Sequence, residues 1–250
     1  MLATGPADWD GPALSPRAFL AALQLADSAF PSGRYTLSHG LESLVQSGAV
    51  TVRSGIGGLC SLLCDQLEHG VASTDGVAVA WAHRAVSETV RSGYDEQLAC
   101  ETDRRLTSVK LSQEMREASS RTGRGVMGTA LGSFAGPALT AYSRLIRGRT
   151  VPGNGAVVIG LLSAELGLPL IYAVATELYG FAAGWLNAAM RLGVADHRIM
   201  QAVLNRCGPV MDGAAQKAST TDLEDMASCI PLVDIMSMRH EQAALRMFAS

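Results

Sequence analysis

Leu23-Gln-Leu-Ala-Asp27-Ser-Ala-Phe-Pro31-Ser-Gly33-Arg34-Tyr35-Thr-Leu-Ser38-His39-Gly40-Leu-Glu42 carries the punctuation from which the fold class is read. A helical apolar pattern runs up to Asp27, Pro31 and Gly33 forbid its continuation, and Ser38 stands where a second helix carrying Leu41, Leu44 and Val45 wants an N-cap. The stretch predicts a tight helix-loop-helix corner. Its polar residues admit two readings. In turns such side chains cap backbone groups. Alternatively, Asp27, Ser38 and His39 are the reacting groups of a small all-α hydrolase or lyase.

Working outward, Ser15-Pro16 supplies an N-cap and an N1 proline to a first helix with Phe19, Leu20, Leu23 and Ala26 at helical spacing. Residues 1–14 read as a flexible arm without the basic and apolar regions of a signal peptide. After Gly48, Thr51 opens a helix with Ile56, Leu59, Cys60, Leu63 and Leu67 on one face, which Gly70 is expected to stop. Ser73 or Thr74 then caps a segment ending near Ser92-Gly93, and Tyr94 opens the next. Residues 107–131 predict one long polar-faced helix with Lys110 paired to Glu114. Pro137 begins another helix, Gly167-Leu-Pro169 breaks the apolar run that follows, and 169–192, apolar nearly all round, is the expected central or dimer-interface helix. A helix over 196–207 leads to Pro209, and no alternating strand pattern appears anywhere. The fold class is all-α, a single globular bundle of about ten helices, with residues 15–229 as its body and 230–250 as a partner-docking segment.

Apolar residues make up 48% of the chain and charged ones 17%, a balance that suggests surface buried against a partner. A net charge of -3 offers no field to capture phosphate, so no nucleic-acid partner is expected; the mixed charges of 101–125 agree. Pro152, Glu165, Pro169 and Glu177 cut the apolar region into pieces too short to cross a membrane. Five scattered cysteines point to reduced, buried thiols and a cytoplasmic location.

Gly123-Arg-Gly125-Val-Met-Gly128 spells a dinucleotide fingerprint, but no strand precedes it and no acidic residue lies between Glu117 and Glu165. These glycines are expected to let helices approach closely. No phosphate-binding loop of the G-x-x-x-x-G-K-[ST] type occurs. Cys60 and Cys64, with His69 nearby, could hold a soft metal, yet they share a stripe with Leu63 and Leu67 and no second ligand pair follows, so no metal site and no cofactor are expected. The five histidines show no ligand spacing. Arg239-His240-Glu241 sits among Met236, Met238, Leu245, Met247 and Phe248, which marks either a docking segment or a tail folded onto its own core.

The corner 23–42 and the closing stretch Pro231-Leu-Val-Asp-Ile-Met-Ser-Met-Arg-His-Glu-Gln-Ala-Ala-Leu-Arg-Met-Phe-Ala-Ser250 together resemble the urease accessory protein UreF family, with Arg116-Glu117-Ala-Ser and Ala188-Ala-Met-Arg191-Leu as weaker matches in order between them. The resemblance implies an all-helical, non-enzymatic urease maturation factor. Such a protein forms a homodimer, binds UreD/UreH, recruits the GTPase UreG, and regulates GTP-coupled nickel delivery to apo-urease. It further implies a UreD/UreH contact at Arg239, His240, Glu241, Arg246 and Phe248, and a UreG contact at Arg191, Asp27, Tyr35, His39 and Glu42. Two departures stand out. Gly33-Arg34 replaces the family's usual two glycines, and Val194, Asp196 and His197 replace its pattern after Arg191-Leu192.

Overall fold

A computed structural model describes residues 14–86, 93–134, 136–243 and 245–249. Most of the expected N-terminal arm, residues 1–13, lies outside the described residues, as does Ser92 of the expected break. The described chain runs α1 (Pro16–Ala26), α2 (Leu41–Gln46), α3 (Gly55–Gln66), a π-helical segment (Leu67–Gly76), α4 (Val77–Arg84), α5 (Glu96–Val109), α6 (Gln113–Ser133), α7 (Pro137–Arg147), α8 (Gly155–Glu165), α9 (Leu170–Arg191), α10 (His197–Thr220) and α11 (Pro231–Glu241). No strand occurs among the described residues, so the fold is all-α. No helix among them is long and apolar enough to cross a membrane.

Local chemistry sets most boundaries. The Ser15 hydroxyl accepts from Ala18 N–H at 3.2 Å, with Pro16 in the first turn of α1. Asp196 caps α10 through Ile199 N–H at 2.8 Å. Where one helix was expected over 107–131 there are two. Ser112 accepts from Met115 N–H at 3.1 Å and opens α6, leaving Lys110 in the connection. Lys110 therefore pairs not with Glu114 but with Asp75, at 2.6 Å.

Four other expectations are corrected. Gly40, at φ 80°, stands at the N-cap of α2 in place of Ser38; that left-handed conformation suits glycine, and a Cβ there would crowd Val233. Gly70 does not stop the helix: α3 gives way at Leu67 to the π segment, which runs through Gly70 and on to α4. A Cβ there would sit 2.8 Å from Ile230 Cδ1, so glycine lets the Ile230 side chain pack directly against the π segment. The wide winding leaves carbonyls for other donors: Cys229 N–H reaches His69 O at 2.8 Å and Ala227 N–H reaches Ser73 O at 3.3 Å. Ser73 and Thr74, expected as caps, instead donate their hydroxyls to Gly70 O. Finally, α10 continues through Pro209. The proline and Asn205, whose carbonyl loses its helical donor, both lie on the exposed face, where water can serve instead.

The core centres on α8, nine consecutive residues of which, Gly155 to Ser163, are buried. Its Val157, Val158, Ile159, Leu161 and Leu162 each stabilise the fold by about 1.5–3 kcal/mol through burial. It packs on α4, α6 and α9. Helix α9, the expected centre, packs on α1, α4, α8, α10 and the π segment, but Tyr179 on its outer face is exposed. Two of the three fingerprint-like glycines serve close packing, whereas Gly128 faces open space. A Cβ on Gly123 would overlap the Gly153 carbonyl oxygen, and one on Gly125 would touch the Pro31 and Ser32 carbonyls at 3.0 Å. The underside of the corner thus rests on α6.

Candidate functional site

The corner, the C-terminal end of α9, and α11 with the segment after it come together, and all ten residues assigned to partner contacts lie on these stretches. Glu42, in the first turn of α2 and buried, accepts from His240 Nε2 at 3.0 Å, Met247 N–H at 2.7 Å and Phe248 N–H at 3.0 Å; Gln46 Nε2 donates to it at 3.2 Å. The other ring nitrogen of His240, Nδ1, lies 2.8 Å from Glu114 Oε2 on α6. Arg246 donates to Glu114 Oε1 at 2.7 Å, and the Glu114 backbone N–H donates to Glu241 at 3.1 Å. His240 is fully buried and bridges α2 and α6. The tail is thus folded back on its own core.

Arg191 joins the tail to the corner. Its guanidinium lies 4.3 Å from the Tyr35 ring centroid and 4.2 Å from that of Phe248, and it donates to Tyr35 O at 2.6 Å. A cation between two π faces contributes about 0.5–1 kcal/mol per ring at a partly exposed site. The position is built by α9 ending at Arg191, one turn beyond the buried Ala188 and Ala189. Phe248 is buried, and Tyr35 is exposed on its other side. Asp27 is exposed and caps Ala29 N–H at 2.8 Å beside a shallow pocket shared with Tyr35 and Asn187.

A second cavity opens between the corner, the π segment, α6, α9 and the start of α11. Arg34 reaches into it and holds both oxygens of Glu177 at 2.5 Å, with its guanidinium 2.8 Å from the spot a Gly180 Cβ would occupy. The long cation that replaces a family glycine is therefore neutralised by a buried carboxylate and fits because α9 has glycine opposite. Asp75 and Lys110 face each other across the wall. Burial alone would raise the Asp75 carboxyl, but the Lys110 ammonium and the Thr74 hydroxyl hold it below its ordinary value. His39 packs its ring 4.6 Å from Phe181 and is lowered to about 4 by burial, with Lys110 and Arg34 adding to the effect. It is neutral at pH 7. Asp27 and His39 line different cavities, and Ser38 is fully buried, so the hydrolase reading gains no assembled set from them.

Comparison with known proteins gives the family. The UreF family profile matches residues 56–208. The urease accessory protein UreF of Trichodesmium erythraeum is 31% identical over 235 residues, covering 92% of this chain and 96% of its own length. The chain belongs to the UreF family. Urease accessory protein UreF of Yersinia enterocolitica is 28% identical over 228 residues, covering 91% of this chain and 96% of its own, and that of Yersinia pestis (strain Pestoides F) matches to the same extent.

Of the five tail residues assigned to a partner contact, Arg239 is the one whose exposed side chain makes no hydrogen bond or ion pair among the described residues; Arg246 donates to Glu114, and Glu241 receives the Glu114 N–H. Sequence reasoning missed Leu232 and Ile235, which with Met238 form an exposed apolar strip on α11 at spacings of three residues. The i, i+3, i+6 pattern was present, but Val233 and Met236 interleave with it and face inward, so spacing alone did not say which stripe is outside. It also missed Cys207, which the fold brings to Cys60 and Cys64. The departures after Arg191 have structural roles, Val194 in the core and Asp196 as the cap of α10.

Proposed function

We propose that this chain is a urease maturation factor, a non-enzymatic nickel-insertion adaptor that bridges UreD/UreH and the GTPase UreG and regulates GTP-coupled delivery of nickel to apo-urease in the cytoplasm. The observation that carries the reading is the Arg191 contact with both Tyr35 and Phe248, which makes one continuous surface from the two ends of the chain. UreG would dock on the Asp27, Tyr35 and Arg191 face. Glu42 and His39 lie behind it and fix its shape. UreD/UreH would dock on α11 and the tail, with Arg239 and the strip Leu232, Ile235 and Met238 in contact, and His240, Glu241, Arg246 and Phe248 holding the segment in place. The exposed Phe19, Leu20 and Leu23 of α1 suit a homodimer contact.

The test is co-expression with the neighbouring urease accessory proteins followed by capture on a tagged UreD/UreH or UreG. Complex formation with each is expected, and failure with both overturns the adaptor reading. Arg191→Ala should lower urease activation while leaving helical content unchanged. Normal nickel loading in that variant would remove Arg191 from the partner surface.

A further inference from the structure

Cys60 and Cys64 occupy successive turns of α3, and Cys207 comes from the facing side of α10. Their sulfurs form a nearly equilateral triangle, with Cys64 to Cys207 at 3.4 Å, Cys60 to Cys207 at 3.6 Å and Cys60 to Cys64 at 3.9 Å. Cys207 is fully buried, whereas Cys60 and Cys64 are half-buried and leave the group open to the surface. All three are free thiols, and His69, the ligand suggested by sequence proximity, is not part of the group.

We propose that Cys60, Cys64 and Cys207 form a trithiolate site for a thiophilic d10 cation, Zn²⁺ or its analogue Cd²⁺, with a fourth position left to solvent. The triangle's edges decide the geometry. A tetrahedral ion with metal-sulfur bonds of about 2.3 Å separates its ligands by roughly 3.8 Å, so the sulfurs need to part by only a few tenths of an ångström. A square-planar ion would set two of the three in trans, roughly 4.6 Å apart at the same bond length, which no edge of this triangle approaches. The site therefore favours a tetrahedral soft ion over a square-planar one such as low-spin Ni²⁺. Helices α3 and α10 fix the triangle from both sides, as a preformed site requires. Burial raises the Cys64 and Cys207 thiols above their ordinary range, so those two stay protonated until a cation displaces their protons. Binding converts three S–H groups into three metal-sulfur bonds and releases the protons to solvent, with no change of oxidation state.

The experiment adds Cd²⁺ or Zn²⁺ to the reduced, chelator-treated full chain and reads the thiolate-to-cadmium charge-transfer band together with proton release in weak buffer. One ion per chain and about three protons per ion are expected. Cys60→Ser, at the half-buried position, and Cys207→Ser should each weaken binding on the order of 100-fold, while Cys100→Ser and Cys229→Ser leave it unchanged. Circular dichroism selects variants that keep their helices; if Cys207→Ser does not, Cys60→Ser and Cys64→Ser carry the comparison. Absence of a saturable band in the wild-type chain overturns the proposal. So does a band that survives in the Cys60→Ser/Cys64→Ser/Cys207→Ser triple variant, and tighter binding of Ni²⁺ than of Zn²⁺ overturns the tetrahedral assignment.

Discussion

Carboxylates meet cationic or imidazole groups on two sides of the corner, and the two places are built to opposite ends. At the tail node, Glu42 and Glu114 each receive several donors, and His240 has an acceptor at both ring nitrogens, so the polar groups close on one another. Across the cavity, Arg34 with Glu177 and Lys110 with Asp75 stand as separate pairs around open space, and the buried Gln66 amide nitrogen has no partner among the described residues. A closed network acts as a clasp, since breaking any member strands another inside the protein. An open one leaves unspent hydrogen-bonding capacity, and the pH-sensitive group on its wall is His39, lowered to about 4 by burial.

That contrast can be broken in order of effect. Glu42→Ala should be the most damaging change, costing about 3–5 kcal/mol by leaving His240 Nε2 and the Met247 and Phe248 N–H groups without an acceptor. Urea denaturation together with faster proteolysis after residue 241 checks it, and a cost under about 1 kcal/mol would mean the clasp is ornamental. Arg34→Gly, which restores the family's second glycine, should cost about 2–3 kcal/mol by isolating the buried Glu177 charge. Adding Glu177→Gln should recover most of that loss. An additive double mutant would show that the pair is not coupled.

The third effect is on pH dependence. His39 titrates at about 4 in the fold against an ordinary value of 6.5, so the unfolded chain binds the extra proton first as pH falls. The stability this neutral ring supports is complete above about pH 6.5 and is lost as pH falls toward 4, by about 2 kcal/mol once its partial exposure is allowed for. His39→Gln should flatten the stability profile over that interval, and an unchanged slope would assign the loss to other groups. The smallest change is Gln66→Leu, which removes the unpartnered amide and should stabilise the chain by about 1 kcal/mol in thermal melts. A loss instead would mean that the amide is satisfied, by water in the cavity.

Periodicity was enough for the class and for most helix starts, because Ser15, Pro137 and Asp196 act within three residues of themselves. It failed where a distant neighbour overrules a local signal. Gly70 looks like a stop until Ile230 is set against it, and Pro209 looks like a break unless its face is known to be solvated. The site divides in the same way. Arg191, Tyr35 and Phe248 were chosen by resemblance to the family, and that they touch was not legible. Glu42 with His240, 198 residues apart, and Cys64 with Cys207, 143 apart, carry no spacing signal at all. The family profile spans 56–208 and includes neither the corner nor the tail, the stretches in which the resemblance was seen.

Glu42 accepts the N–H groups of residues 205 and 206 positions downstream, and this gives the chain a clock as well as a clasp. During synthesis α2 leaves the ribosome early and its carboxylate must stay hydrated until Met247 and Phe248 emerge. At that moment the corner can bury it. A nascent or prematurely ended chain therefore displays a wet, unlatched corner, and Arg191 lacks the second ring that completes its surface.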